Sequence, residues 1–277
     1  MKASLKDILT TAESGGFAVG SFNTPNLESL RAVLAAAERN GLPVIIQHAQ
    51  CHETLTPLSI MGPIMVRMAE EAAVPVCVHL DHGEDLDYLK RALDLGFNAV
   101  MFDGSTLPYE ENLELSRKTV ELAKTYGAHV EAELGAMGKR EGGSGEAQGD
   151  DTKCYTDPDL AVDFVKDTGI TALACSFGTT HGLYLTKPRL DVDVVTGVRE
   201  KTGGIPIVMH GGSGISDEDF RKVIHAGVRK INYFTYMDKA GAAACQESAL
   251  FFSEYAGRAR AAMEENVSKA MQVFALR

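Results

Sequence analysis

"IPIVMHGGSGISDEDFRKVIHAGVRKINYFT", residues 205–235, reads as one complete strand–helix–strand unit. The apolar run IPIVMHGG (205–212) has the length and branching of a buried strand. SDEDFRKV then offers a serine cap and acidic residues in a first helical turn, predicting a helix over 216–226. HAG supplies the glycine that ends it, and VRKINYFT (228–235) is a second apolar run. A helix between two apolar strands is the signature of a parallel sheet.

The same rhythm fills the rest of the chain. Six more runs precede it: FAVGSFN (17–23), PVIIQHA (43–49), PVCVHLDH (75–82), NAVMFDGS (98–105), AHVEAELG (128–135) and ITALACSFG (170–178). Helices are predicted near 26–40, 57–73, 84–95, 108–127, 158–168 and 191–203, with a helical tail over 237–275. TPNLESL and TDPDLAV are further cap-like starts; RNG, TYG and DTG are further glycine stops. Eight strand–helix units in one domain over 1–277 predict an α/β fold, a closed (β/α)8 TIM barrel with extra C-terminal helices. A doubly wound sheet is the fallback. MKASLKDILTTAESGG at the start reads as an amphipathic helix, with no signal-peptide core.

One segment breaks the rhythm. MGKREGGSGEAQGDDTKCY (137–155) is a glycine-rich, charged stretch after the fifth strand, and a loop of that length suggests a mobile active-site lid.

The formal net charge of −11 argues against a nucleic-acid or anionic-membrane partner. No apolar run approaches the roughly 20 residues of a membrane span. Cysteines 51, 77, 154, 175 and 245 are odd in number and contain no CxxC pair. Reduced thiols and a cytoplasmic protein are expected.

In such a barrel, chemistry gathers where strands end. Asn23 closes the first run, Asp81 and His82 the third, Asp103 the fourth, and Glu131 and Glu133 the fifth. His181 follows the sixth, His210 ends the seventh, and Asn232 and Thr235 close the eighth. Three histidines from three strand ends, His82, His181 and His210, are the ligand set of a catalytic zinc site with an open position. His79, three residues before His82, falls on the opposite face of a regular strand. His48 and His52 flank Cys51 at a spacing that could bind metal, with substrate contact or packing as the competing reading. HGGSG, taken as the opening of the seventh helix, offers free amides to an anion at Gly211 and Gly212, and Ser213 adds a hydroxyl. A plain helix cap is the alternative. Asp81 is placed to exchange a proton or to orient a histidine.

With these residues in place, the chain resembles the class II, metal-dependent ketose-bisphosphate aldolases of fructose and tagatose type. VHLDHGED, VMFDGS, VEAELG, YTDPDLAVDFVKDTGITALACSFGTTHGLY, IPIVMHGGSGIS and KINYFT carry the resemblance in order over about 17–245. It implies zinc on His82, His181 and His210, with Asp103 and Glu133 as carboxylates for an alternative metal position. Asp81 would handle the proton of the C4 hydroxyl. Glu141, or Glu146 if the register differs, would handle the proton of the enediolate carbon. Asn23, Gly182, Gly211, Gly212, Ser213, Asn232 and Thr235 would bind substrate, chiefly the phosphate of dihydroxyacetone phosphate. A monovalent cation, Na+ or K+, beside that phosphate fits the family pattern. So does a homodimer or homotetramer.

QHAQCHETLTP lacks the serine and glycine pattern common after the second strand, and SEYAGRARAAMEENVSKA lacks a DPRKYL-like motif. The distal phosphate site is therefore in doubt, with Arg258 and Arg260 as substitutes. Competing readings are a barrel metallohydrolase, an imine-forming aldolase using Lys230, and a non-enzymatic phosphosugar-binding barrel.

Overall fold

A computed structural model describes residues 1–135, 155–182, 184 and 187–277; Glu141, Glu146, Cys154 and nearly all of the expected lid fall outside it. Eight parallel strands, β1 (Val19–Asn23), β2 (Val44–Ala49), β3 (Val76–Gly83), β4 (Ala99–Phe102), β5 (His129–Leu134), β6 (Ala172–Cys175), β7 (Ile207–Met209) and β8 (Val228–Asn232), close in sequence order. Closure leaves no strand edge unpaired, since β8 pairs with β1 from Val19↔Lys230 to Ser21↔Asn232.

Helices return the chain on the outside: α2 (Leu27–Asn40), α3 (Leu58–Glu71), α4 (Leu86–Asp94), α5 (Tyr109–Thr125), α6 (Pro158–Thr168), α7 (Val192–Lys201), α8 (Asp217–Ala226) and α9 (Thr235–Ala244). Their ends follow the sequence signals. Asn26, Asp157 and Ser216 cap α2, α6 and α8 through their side chains. Gly41 and Gly169 close α2 and α6 in the left-handed conformation.

The helical tail consists of two helices: α9 starts at Thr235, separated from β8 by two residues, and α10 (Phe252–Phe274) follows a break and packs on α2. Leu250 and Phe251 in that break, and Phe252 at the start of α10, are exposed to solvent.

Side-chain alternation divides the core. Outward residues such as Phe22, Ile46, Val78, Val100 and Leu173 pack beneath the helices. Inward residues Val19, Ile45, Cys77, Ala99, Ala172, Ala174 and Val208 meet Leu5, Ile8, Leu9 and Ala12 of α1 (Leu5–Gly15), which plugs the foot of the barrel. Glu13 of α1 pairs with Arg199 at 2.7 Å and Arg229 at 3.0 Å, pinning the plug. Cys77 and Cys175 are buried, Cys51 is exposed, and no disulfide joins the described cysteines. Among the described residues, no helix is long and apolar enough to cross a membrane.

Candidate active site

Two residues above the apolar foot, the inward rows turn polar. His79, Glu131 and Lys230 occupy the barrel centre fully buried, with Gln47 beside them. Above them, at the strand ends, lie Asn23, Asp81, Glu133, His210 and Asn232.

Asp81 and His82 are adjacent, so a regular strand would send them to opposite faces. The β3–β4 register shifts between Leu80 and Gly83, and His82 takes φ 48°. That conformation costs a non-glycine residue about 1–3 kcal/mol and lets both side chains enter the site. The same bulge corrects the expectation for His79, which faces the barrel interior as Asp81 does. It lies one layer lower, 3.4 Å from Glu131 and 3.3 Å from Gln47.

The rings of His82, His181 and His210 have centroids 4.7 to 5.6 Å apart. One nitrogen of each lies within 4.8 Å of the others, as a metal ligand set requires. His181 Nε2 and His210 Nδ1 are buried without a hydrogen-bond partner among the described residues, while His210 Nε2 is 2.9 Å from Glu131. Such orphaned nitrogens fit a cation. The Glu131 bond leaves Nδ1 of His210 as the ligand atom. A second group, His82 with Asp103 and Glu133, is equally close, and His82 Nδ1 lies 2.8 Å from Asp103. His48, His52 and Cys51 form no such group among the described residues.

Electrostatics agree. Burial would make His82 lose its proton, but Asp81, Asp103 and Glu133 outweigh it and raise the ring to about 10. Burial, with the like charges of His82 and His210, pushes His181 down to about 3. Glu133 is raised well above the carboxylate range by burial and by neighbouring Asp103. The rim thus gathers carboxylates around one point that demands positive charge, which a divalent ion satisfies.

Asp81 is held by amides from three strands. Gln47 Nε2 and Asn232 Nδ2 donate to Oδ1 at 3.0 and 3.1 Å, and Asn23 Nδ2 donates to Oδ2 at 3.0 Å. Burial alone would raise its pKa, but the positive charge around His82, His210 and Lys230 holds it below the ordinary carboxylate range. Oδ1 has both lone pairs used and Oδ2 has one spare, so Oδ2 is the oxygen with room for a substrate proton. Asn23 and Asn232, expected at substrate, therefore first serve Asp81.

The cleft beside these groups is lined by Asn23, Asp81, His82, His181, Gly182, Gly211, Gly212, Ser213, Asn232 and Thr235, bringing the expected substrate residues together. Their local roles need two corrections. HGGSG does not open a helix: α8 begins at Asp217, capped by Ser216, and three acidic residues in its first turn repel an anion. The helix start at this cleft is that of α9, whose Phe234 and Tyr236 amides donate to Ser213 Oγ at 3.3 Å each. Gly212 N–H is also spent, on Asn232 O at 3.0 Å. Gly211 is required sterically, since at φ 64° any Cβ would lie 2.3 Å from the Thr180 carbonyl oxygen.

Arg258 and Arg260 do not reach the cleft. Arg258 donates to the Glu247 carbonyl at 3.2 Å, and Arg260 pairs with Glu264 at 3.1 Å in a groove between α2 and α3. Lys230 is fully buried against Glu131 at 2.8 Å and lines no part of the cleft, which leaves the imine reading without an accessible amine. Gln47 was missed by sequence reasoning. A lone amide inside the apolar run PVIIQHA, where burial demands a partner, was the available signal.

A family model described as fructose-bisphosphate aldolase class-II matches residues 3–277. A fructose-bisphosphate aldolase of Staphylococcus epidermidis is 35% identical over 98% of this chain and 96% of its own length. A 6-phospho-5-dehydro-2-deoxy-D-gluconate aldolase of Halalkalibacterium halodurans is 38% identical over 84% of this chain and 80% of its own. The crystal structure of the YdjI aldolase from Escherichia coli K12 superposes with a TM-score of 0.89 at 34% identity, covering 99% of this chain and 97% of that one.

Proposed function

This chain belongs to the class II fructose-bisphosphate aldolase family, and from that premise we propose how its residues divide the work. His82, His181 and His210 hold a zinc ion, with Asp103 and Glu133 serving a displaced position of the metal. Bound there, zinc supplies Lewis-acid polarisation of a substrate carbonyl. Asp81 accepts the C4 hydroxyl proton through Oδ2 as the C3–C4 bond of a ketose phosphate breaks, and returns it in synthesis. Glu141 or Glu146 exchanges the proton on the dihydroxyacetone phosphate carbon.

The phosphate sits against Gly182, Gly211, Ser213 and Thr235, which line the cleft together. A Na+ or K+ ion beside it, a homodimer or homotetramer, and a cytoplasmic role in carbohydrate metabolism belong to the same proposal. The observation that carries it is the convergence of three histidines on one amide-held carboxylate beside a glycine turn.

We take the aldehyde half to be unphosphorylated, because Arg258 and Arg260, the substitutes for a distal phosphate site, are engaged away from the cleft with the Glu247 carbonyl and Glu264. The test is release of dihydroxyacetone phosphate from fructose 1,6-bisphosphate, tagatose 1,6-bisphosphate and ketose 1-phosphates, before and after chelation. Release should vanish on chelation and return with zinc. Comparable turnover of fructose 1-phosphate and the bisphosphate supports the open distal end; a hundredfold preference for the bisphosphate overturns it.

A further inference from the structure

Three amides hold Asp81, and they are not equivalent. The carbonyl oxygens of Asn23 and Gln47 are buried and receive no hydrogen bond from any described residue. The carbonyl of Asn232 receives one from Lys230 Nζ at 2.7 Å. Lys230 is in turn fixed by Glu131 Oε2 at 2.8 Å, and both are wholly buried in the barrel. An ammonium has donors only, so its bond to Oδ1 of Asn232 leaves the amide one orientation, with Nδ2 toward Asp81. Without the cation, the amide could turn its oxygen to the carboxylate and push it away.

We propose that Lys230 is a positioning residue for Asp81, acting through the Asn232 amide and anchored by Glu131. The inference rests on the aldolase reading above. Lys230 itself touches neither the cleft nor the three histidines, so removing it should damage the proton transfer that Asp81 performs and spare the rest. Enediolate formation from dihydroxyacetone phosphate is the step that separates them, because it exchanges a carbon-bound proton without using the C4 hydroxyl.

The experiment compares wild type and Lys230→Met, both zinc-loaded. The measurements are cleavage kcat and KM, exchange of the dihydroxyacetone phosphate C–H with deuterated water, and bound zinc per chain. Cleavage kcat should fall about 100-fold, the size of effect a displaced catalytic group produces. KM, exchange rate and zinc content should stay within about threefold. In an Asp81→Ala background, Lys230→Met should add no further loss.

An equal fall in exchange and cleavage, or a full additional loss in the Asp81→Ala background, would overturn the inference. Should the unpaired Glu131 prevent folding, the neutral pair Glu131→Gln with Lys230→Met takes its place, with Glu131→Gln alone as its reference. The same pattern is then expected relative to that reference. A wild type that neither exchanges nor cleaves overturns the aldolase reading itself, a result distinct from an active wild type with a silent Lys230.

Discussion

The foot and the rim of this barrel are built from the same strands and do opposite work. At the foot, Val19, Ile45, Cys77 and Val208 close on Leu5, Ile8 and Leu9 of α1. One or two inward positions higher, the same rows present Asn23, Gln47, Asp81 and His210. The foot is held by apolar burial, the rim by hydrogen bonds and charge pairs. Between them, Glu131 bonds His210 and Lys230 bonds Asn232. The lesson is that stability and chemistry can be separated by a few ångströms along one strand, because each inward residue belongs to a single layer.

The sharpest break in that comparison is at the rim. Asp81→Ala should lower cleavage about 1,000-fold, within the span of general acid–base effects, in a protein that still folds but is destabilised by the amides left unpaired. A loss below tenfold would remove Asp81 from proton transfer. His181→Ala should leave a folded protein with less than one zinc per chain after dialysis; full zinc retention would displace His181 from the ligand set.

At the foot the pattern should invert. Leu9, 1% exposed, loses its packing in Leu9→Ala, at a cost of about 2–5 kcal/mol in denaturant unfolding. Activity per folded molecule should be unchanged. A drop in kcat would mean that the plug and the site are coupled.

A smaller effect is expected in the turn at Gly211. Gly211→Ala adds about 1–2 kcal/mol for the left-handed backbone and, beyond that, forces this turn and the Thr180 carbonyl apart. The expected readout is a KM rise of about tenfold with zinc still bound; an unchanged KM would move the phosphate elsewhere.

The smallest effect concerns Glu53, in the short 3-10 turn (Gln50–Thr54) after β2. Burial would raise its pKa, but the Leu58 amide, the Tyr88 hydroxyl and Arg91 bring it down to about 2 from an ordinary 4.5. A depressed carboxylate stabilises the fold above the unfolded value and loses that contribution as pH falls from about 4.5 towards about 2. Being partly exposed, it is worth at most about 1 kcal/mol. Thermal melts of Glu53→Gln and wild type should differ at pH 7 and converge towards pH 3. A gap that widens in acid would reverse the assignment.

Some of this site was legible before any coordinates. His82, His181 and His210 could be found because each lies at or just beyond the C-terminal end of a strand, and those ends of a barrel share one rim. Gly211 and Ser213 were visible as a turn. Gln47 and the Glu131–Lys230 pair were obscured, since one polar residue inside an apolar run does not reveal what it meets across the barrel. Asn232 was visible but assigned to substrate alone, because its bonds to Asp81 and Lys230 join residues distant in sequence.

The sequence by itself determined the barrel, its helix caps and the three histidines that the structure brings together as a candidate metal site, since periodicity and capping are local properties of the chain. Only the tertiary structure decided that His82 turns inward beside Asp81, that α9 rather than α8 faces the cleft, and that Lys230 reaches Asp81 through one amide. Those outcomes depend on a register shift and on contacts between strands far apart in sequence, and no local pattern encodes either.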